Sequence, residues 1–175
     1  MARDANSRAS AEAAGEEFIY SRTFNAPRDL VWKAHTEADR LKHWWGPKDF
    51  TMIACTVDLK PGGLFHYGML SPDGTEMWGK WIYREIAAPE RLSCVVSFSD
   101  AAAGMTRHPW SLQWPLEVLS TLTLIDLGGK TRLDMVGKAV NATAAERATF
   151  AAGFSSMDAG FDGTLDQLDA YLATV

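Results

Sequence analysis

Long hydrophobic runs are missing from this chain, so no segment has the length of a membrane-spanning helix. Clusters of Lys and Arg are missing too. With a formal net charge of −5 and a pI near 5.3, nucleic acid and anionic membranes are not expected partners. Met1 to Gly15 lacks the apolar stretch of a signal peptide, which makes the cytoplasm the expected compartment. Cysteine is scarce. Cys55 and Cys94 sit in strand-like runs at no metal-binding spacing, and both read as reduced core residues. There is no G-x-S-x-G elbow and no P-loop, and Gly62-Gly63 and Gly128-Gly129 read as hairpin turns. His35 and His43 flank a presumed helix break, which argues against a shared metal. No metal and no cofactor is expected.

Aromatic residues are plentiful instead, with seven Trp and eight Phe. Residues 1–15, rich in Ala, Ser and charge, read as a mobile leader, and residues 16–175 as one domain. Phe18, Tyr20 and Phe24 alternate as a strand does. After Pro27, Leu30, Val31 and Ala34 give a short helix its buried side. Thr36 to Asp39 resembles a capping box that starts a second one, ending at Trp44-Trp45-Gly46-Pro47. Strands follow over 50–59, 64–71, 76–86 and 91–100, parted by turn-forming Pro, Gly and Asp. An irregular stretch covers 101–114, and two more strands flank Gly128-Gly129. Thr143 and Glu146 form a second capping box. Beyond it Phe150, Phe154, Met157, Phe161, Leu165, Leu168 and Leu172 recur every three or four residues, the pattern of one long helix. Each hairpin joins neighbours, so the sheet is antiparallel, and the last helix is the element long enough to cover it. The expected class is α+β, a curved sheet of about seven strands gripping a C-terminal helix over an apolar cavity.

Pro27 to Trp32, together with Trp44-Trp45-Gly46-Pro47, resembles the START-like (SRPBCC) superfamily, in the branch related to the activator of the heat-shock-protein-90 ATPase. Asp58 to Gly63, Pro72-Asp73-Gly74, Pro89 to Leu92, Trp114 to Glu117 and the C-terminal helix are similar to further signatures of that family. The resemblance implies a helix-grip fold around a hydrophobic cavity. It implies less about activity, because relatives include binders of lipids or polyketides, cyclases and co-chaperone-like domains.

The strand periodicity places Phe65, Tyr67, Met69, Phe98 and Leu122 on the cavity wall, with Trp45 and Trp110 near its mouth. Met157 and Phe161 face it from the helix. A row of small residues on that helix, Gly153, Ser156, Gly160 and Gly163, marks either close packing or room for a ligand. Two residues are candidates for acid–base chemistry. His108 lies in the irregular stretch, where it either faces the cavity or belongs to a solvated loop. Glu117 is either a carboxylate on a partly apolar face or an outward one paired with a Lys or Arg. Three functions stay open: binding of a small hydrophobic or amphipathic molecule, a cofactor-independent cyclase- or hydrolase-like enzyme, and a co-chaperone-like interaction module. The expected partner is a small hydrophobic molecule, with homodimerisation left open.

Overall fold

The computed structural model describes residues 16–175, so the expectation of a leader over 1–15 lies outside the described residues. Period-two alternation buries Phe18, Tyr20 and Phe24 on one side of β1 (Glu17–Phe24). Helix α1 (Arg28–Thr36) starts directly after Pro27, whose φ of −67° suits a helix start. Helix α2 (Ala38–Trp44) follows without the capping box expected at Thr36. Instead, α1 runs through Thr36, whose hydroxyl donates to the Trp32 carbonyl one turn back at 2.8 Å. Glu37 becomes the N-cap residue, with no side-chain cap bond.

The remaining strands are β2 (Thr51–Val57), β3 (Leu64–Leu70), β4 (Glu76–Ala87), β5 (Arg91–Ser99), β6 (Met105–Thr106), β7 (Glu117–Asp126) and β8 (Thr131–Val140). They make one antiparallel sheet in the order β1-β8-β7-β5-β4-β3-β2, with the short β6 on β5. Strands β1 and β2 are therefore opposite edges, and α1 and α2 carry the chain between them. The Ser93, Ser97 and Ser99 face of β5 is buried as well as its apolar face. Ser97 and Ser99 lie beside Lys80 and Trp78 of β4 in register, so these small residues sit among much longer side chains.

The C-terminal helix is two helices, not one: α3 (Ala144–Ala152) and α4 (Phe154–Leu172). Its capping box forms as expected. Thr143 Oγ1 accepts from the Glu146 N–H at 3.1 Å, and the Glu146 carboxylate accepts from the Thr143 N–H at 2.9 Å. The break falls at Gly153, where a Cβ would meet the Trp114 ring at 2.8 Å. Helix α4 is fastened along both sides. The Tyr20 hydroxyl donates to Asp162 at 2.7 Å, and Arg22 pairs with Asp166 at 2.6 Å and with Asp169. On the other side, Thr164 and Gln167 donate to the Gly46 carbonyl at 3.2 and 2.6 Å. The result is an α+β helix-grip fold, with α4 held across the curved sheet.

The glycine row has neither of its expected causes at Gly160. That residue is exposed, and a Cβ there would meet nothing within 4 Å. Gly160→Ala is expected to raise stability by roughly 0.5–1 kcal/mol through helix propensity alone. Urea unfolding of the variant checks this, and a loss of stability would mean the helix surface is covered at that point.

Candidate functional site

The sheet, α4 and the two short helices converge on a cavity of about 240 Å³ between the sheet and α4. Sheet residues Leu92, Cys94 and Val96 of β5, Leu122 of β7, and Leu133 and Met135 of β8 form its floor. Phe161 and Leu165 of α4 close it from above, and His35, Trp44 and Trp45 wall it from the short helices. Trp45 stands edge-on to Trp81 at 5.0 Å and to Tyr67 at 5.7 Å, which makes one end of the space aromatic. Among the described residues no Lys, Arg, Asp or Glu lines it.

The polar groups of this wall are all neutral near pH 7. Burial pushes the Tyr67 phenol up to about 12, with the neighbouring Trp45 N–H pulling the other way. Burial likewise pushes the Cys94 thiol up to about 12. His35 is driven the opposite way, to about 4, because burial disfavours the imidazolium more than its bond to the Val31 carbonyl favours it. Its Nδ1 lies 2.8 Å from that carbonyl. A carbonyl only accepts, so Nδ1 carries the proton and Nε2 keeps a lone pair. Among the described residues the buried Nε1–H of Trp81 has no hydrogen-bond partner, and that of Trp45 has none of good geometry, its nearest acceptor being the Tyr67 oxygen that it stabilises.

A second, more open cleft of about 470 Å³ lies outward, lined by Phe98, His108 and Trp114 of the sheet side and by Gly153 and Met157 of the helices. A void of about 70 Å³ lies between the two spaces. It shares Tyr67 and Val96 with the cavity, and Phe98 and Trp114 with the cleft. The inner face of β5 thus leads from the cavity to the surface beneath the irregular stretch.

The residues expected from the sequence divide between these places. Trp45, Tyr67, Leu122 and Phe161 line the cavity. Phe98, Met157 and His108 line the outer cleft instead. Phe65 is fully buried behind Trp45, Tyr67 and Trp81, and Met69 is buried with its sulfur against Gly46, so neither borders the cavity. Trp110 lines neither space. It is 68% exposed, in the tight turn closed by the His108–Ser111 bridge. Burial lowers the His108 pKa, and its Nδ1 accepts from the Trp110 N–H at 3.0 Å, which occupies that nitrogen within the loop. Glu117 faces neither space, and its carboxylate accepts from the Asn141 amide at 3.4 Å instead of pairing with a Lys or Arg. Trp44 anchors α2 by donating to the Ala34 carbonyl at 3.0 Å. The sequence reading missed His35 and Trp81 as cavity residues. His35 sits four residues after Val31, on the same buried helical stripe, and that spacing was the available signal.

Among the described residues no cluster of His, Cys, Asp and Glu is arranged to hold a metal ion, and no helix is long and apolar enough to cross a membrane. No curated protein matches the chain. Solved structures do. A protein of Arthrobacter aurescens is 26% identical with a TM-score of 0.74, over 93% of this chain and 88% of that one. A Rhodobacter sphaeroides protein is 24% identical with a TM-score of 0.74, over 92% and 95%. DynU16, from the dynemicin biosynthetic locus, is 18% identical with a TM-score of 0.62 and shares the fold over 91% of this chain and 48% of its own. The sequence profile of the Activator of Hsp90 ATPase homolog 1-like proteins matches residues 25–173. With that match over most of its length, the chain belongs to the Activator of Hsp90 ATPase homolog 1-like protein family.

Proposed function

We propose that this protein binds a small hydrophobic or amphipathic molecule in the cavity between its sheet and α4. The observation that carries the reading is the cavity itself, about 240 Å³ walled by aromatic and aliphatic side chains with no formal charge. A 150 Å³ apolar cavity takes a benzene ring, so by proportion this one takes a molecule of about ten non-hydrogen atoms. Binding fits better than acid–base catalysis. A general base works best with a pKa near the operating pH, and the His35 ring at about 4 is a poor base. Tyr67 and Cys94, held up at about 12, are poor acids.

Native mass spectrometry of freshly purified protein tests the reading. A co-purifying small molecule is expected in the wild type and is expected to disappear in Leu122→Phe. Leu122 faces Leu92 and Met135 across its two neighbouring strands, so the added ring bulk enters the cavity. Stability of that variant should change little. If the space is already filled by packing, the variant loses ~1–3 kcal/mol through overcrowding, and the cavity reading fails.

A further inference from the structure

The cavity wall is apolar except at a few atoms, and those atoms describe the molecule that fits it. His35 is 4% exposed, and its ring borders the cavity. With Nδ1–H committed to the Val31 carbonyl at 2.8 Å, Nε2 is left at the far end of the ring as a lone-pair acceptor. Among the described residues nothing donates a hydrogen bond to it. The Trp44 ring packs against the imidazole at 4.9 Å, which fixes its orientation. Trp45 packs edge-on against Trp44 at 5.6 Å, and Trp81 against Trp45 at 5.0 Å, so these rings form one continuous wall. The indole N–H groups of Trp45 and Trp81 have no hydrogen-bond partner among the described residues, and both are buried within the packed rings. Buried polar groups without partners are costly and uncommon in folded proteins. A wall that offers an unpartnered acceptor on His35 beside the neutral hydroxyls of Tyr67 and Ser120, with no charge to balance, is complementary to a neutral hydroxyl-bearing ring.

We propose that the cavity selects an uncharged, ring-sized molecule carrying a hydroxyl or N–H donor, with His35 Nε2 as its acceptor. This rests on the reading of the cavity as a binding site and adds which chemistry it takes. His35 is then the residue that determines specificity. A carboxylate ligand is disfavoured because among the described residues no cation lines the wall to offset its desolvation. An ether is disfavoured, because it leaves Nε2 without a donor.

Titration calorimetry with four bicyclic probes tests this: naphthalene, 2-naphthol, 2-methoxynaphthalene and 2-naphthoate. For the wild type, 2-naphthol is expected to bind at least tenfold more tightly than naphthalene and 2-methoxynaphthalene, and 2-naphthoate more weakly than all three. In His35→Phe the advantage of 2-naphthol over naphthalene should vanish while naphthalene binding persists. Equal affinities for 2-naphthol and 2-methoxynaphthalene in the wild type would overturn the proposal and leave the binding reading intact. So would tightest binding of 2-naphthoate. Failure of all four probes to bind would remove the binding reading itself. The wild-type series decides without the variant if His35→Phe does not fold. If it folds and keeps the 2-naphthol preference, His35 is not the acceptor and the proposal falls.

Discussion

Acidification from pH 7 to pH 4 is expected to cost the wild-type protein about 3 kcal/mol of stability that His35→Phe does not lose, from the His35 pKa of about 4 against an ordinary 6.5. Between those two values the unfolded chain holds a proton on this ring and the folded chain does not. Stability therefore rises with pH across the window, is full above about 6.5, and is progressively lost as pH falls toward 4. The protonated ring has no place in the fold, since its surroundings are the Trp44 ring, the Val31 carbonyl and an uncharged cavity. Phe is a fair replacement. It keeps the ring against Trp44, and the Val31 carbonyl keeps its helical acceptor role toward the residue-35 N–H. Other groups act elsewhere or weakly. Asp39, Asp73 and Asp134 are held below the usual carboxylate range, by Lys42, by Ser71 and by Ser21 respectively, so their losses come at lower pH. Glu146 is held low in the same way by Arg107. His108 shifts in the same direction as His35, through its own burial, and remains in both proteins. Urea unfolding at pH 7, 6, 5 and 4 measures the difference. Parallel slopes for wild type and variant would mean the ring is not buried in its neutral form.

How the site was legible, and where it was not, follows from what periodicity can carry. Alternation along β3, β5 and β7 reports which side chains share a face, and it put Tyr67 and Leu122 on the cavity side. It does not report how far along a strand the cavity extends. Met69 and Phe98 share faces with cavity residues but lie beyond it, one under Gly46 and one in the outer cleft. The helical repeat from Phe150 to Leu172 is unbroken in sequence, so the interruption at Gly153 was invisible. The Trp114 ring, which comes from a distant loop, packs where a Cβ on Gly153 would stand. The Thr143 box formed because that Thr stands free before its helix. The Thr36 box did not, because that Thr is the last residue of the helix before it. Trp110 shows the same limit from the other side: an aromatic residue in a loop is buried only if the loop folds back over something.

The sheet hides one more feature that pairwise register makes readable, and it bears on the cavity. Tyr67-Gly68 of β3 lies antiparallel to Trp78-Gly79 of β4, with Tyr67 opposite Gly79 and Gly68 opposite Trp78. Each aromatic ring lies over the glycine across from it, on opposite faces of the sheet. A Cβ on Gly68 would meet three Trp78 ring carbons at 2.7–2.8 Å, and a Cβ on Gly79 would meet Tyr67 Cζ at 2.5 Å as well as its hydroxyl. In an ordinary strand Gly→Ala is favourable, because glycine carries the larger entropy cost. Here the sign reverses. Tyr67 is 9% exposed and packed against Phe65 and Trp45, so its ring has one free direction, into the cavity it lines. Gly79→Ala is expected to destabilise by ~1–3 kcal/mol and to weaken binding of naphthalene-sized probes severalfold, because the displaced phenol takes up cavity volume. Gly68→Ala presses instead on Trp78, whose indole donates to Glu76 at 2.9 Å in an exposed setting and stacks on His66. It should lose stability without losing probe affinity. Thermal denaturation and calorimetry on the two variants separate the effects. Equal loss of affinity in both would show that the sheet, and not the Tyr67 ring, transmits the change; unchanged affinity in Gly79→Ala would place Tyr67 outside the binding space.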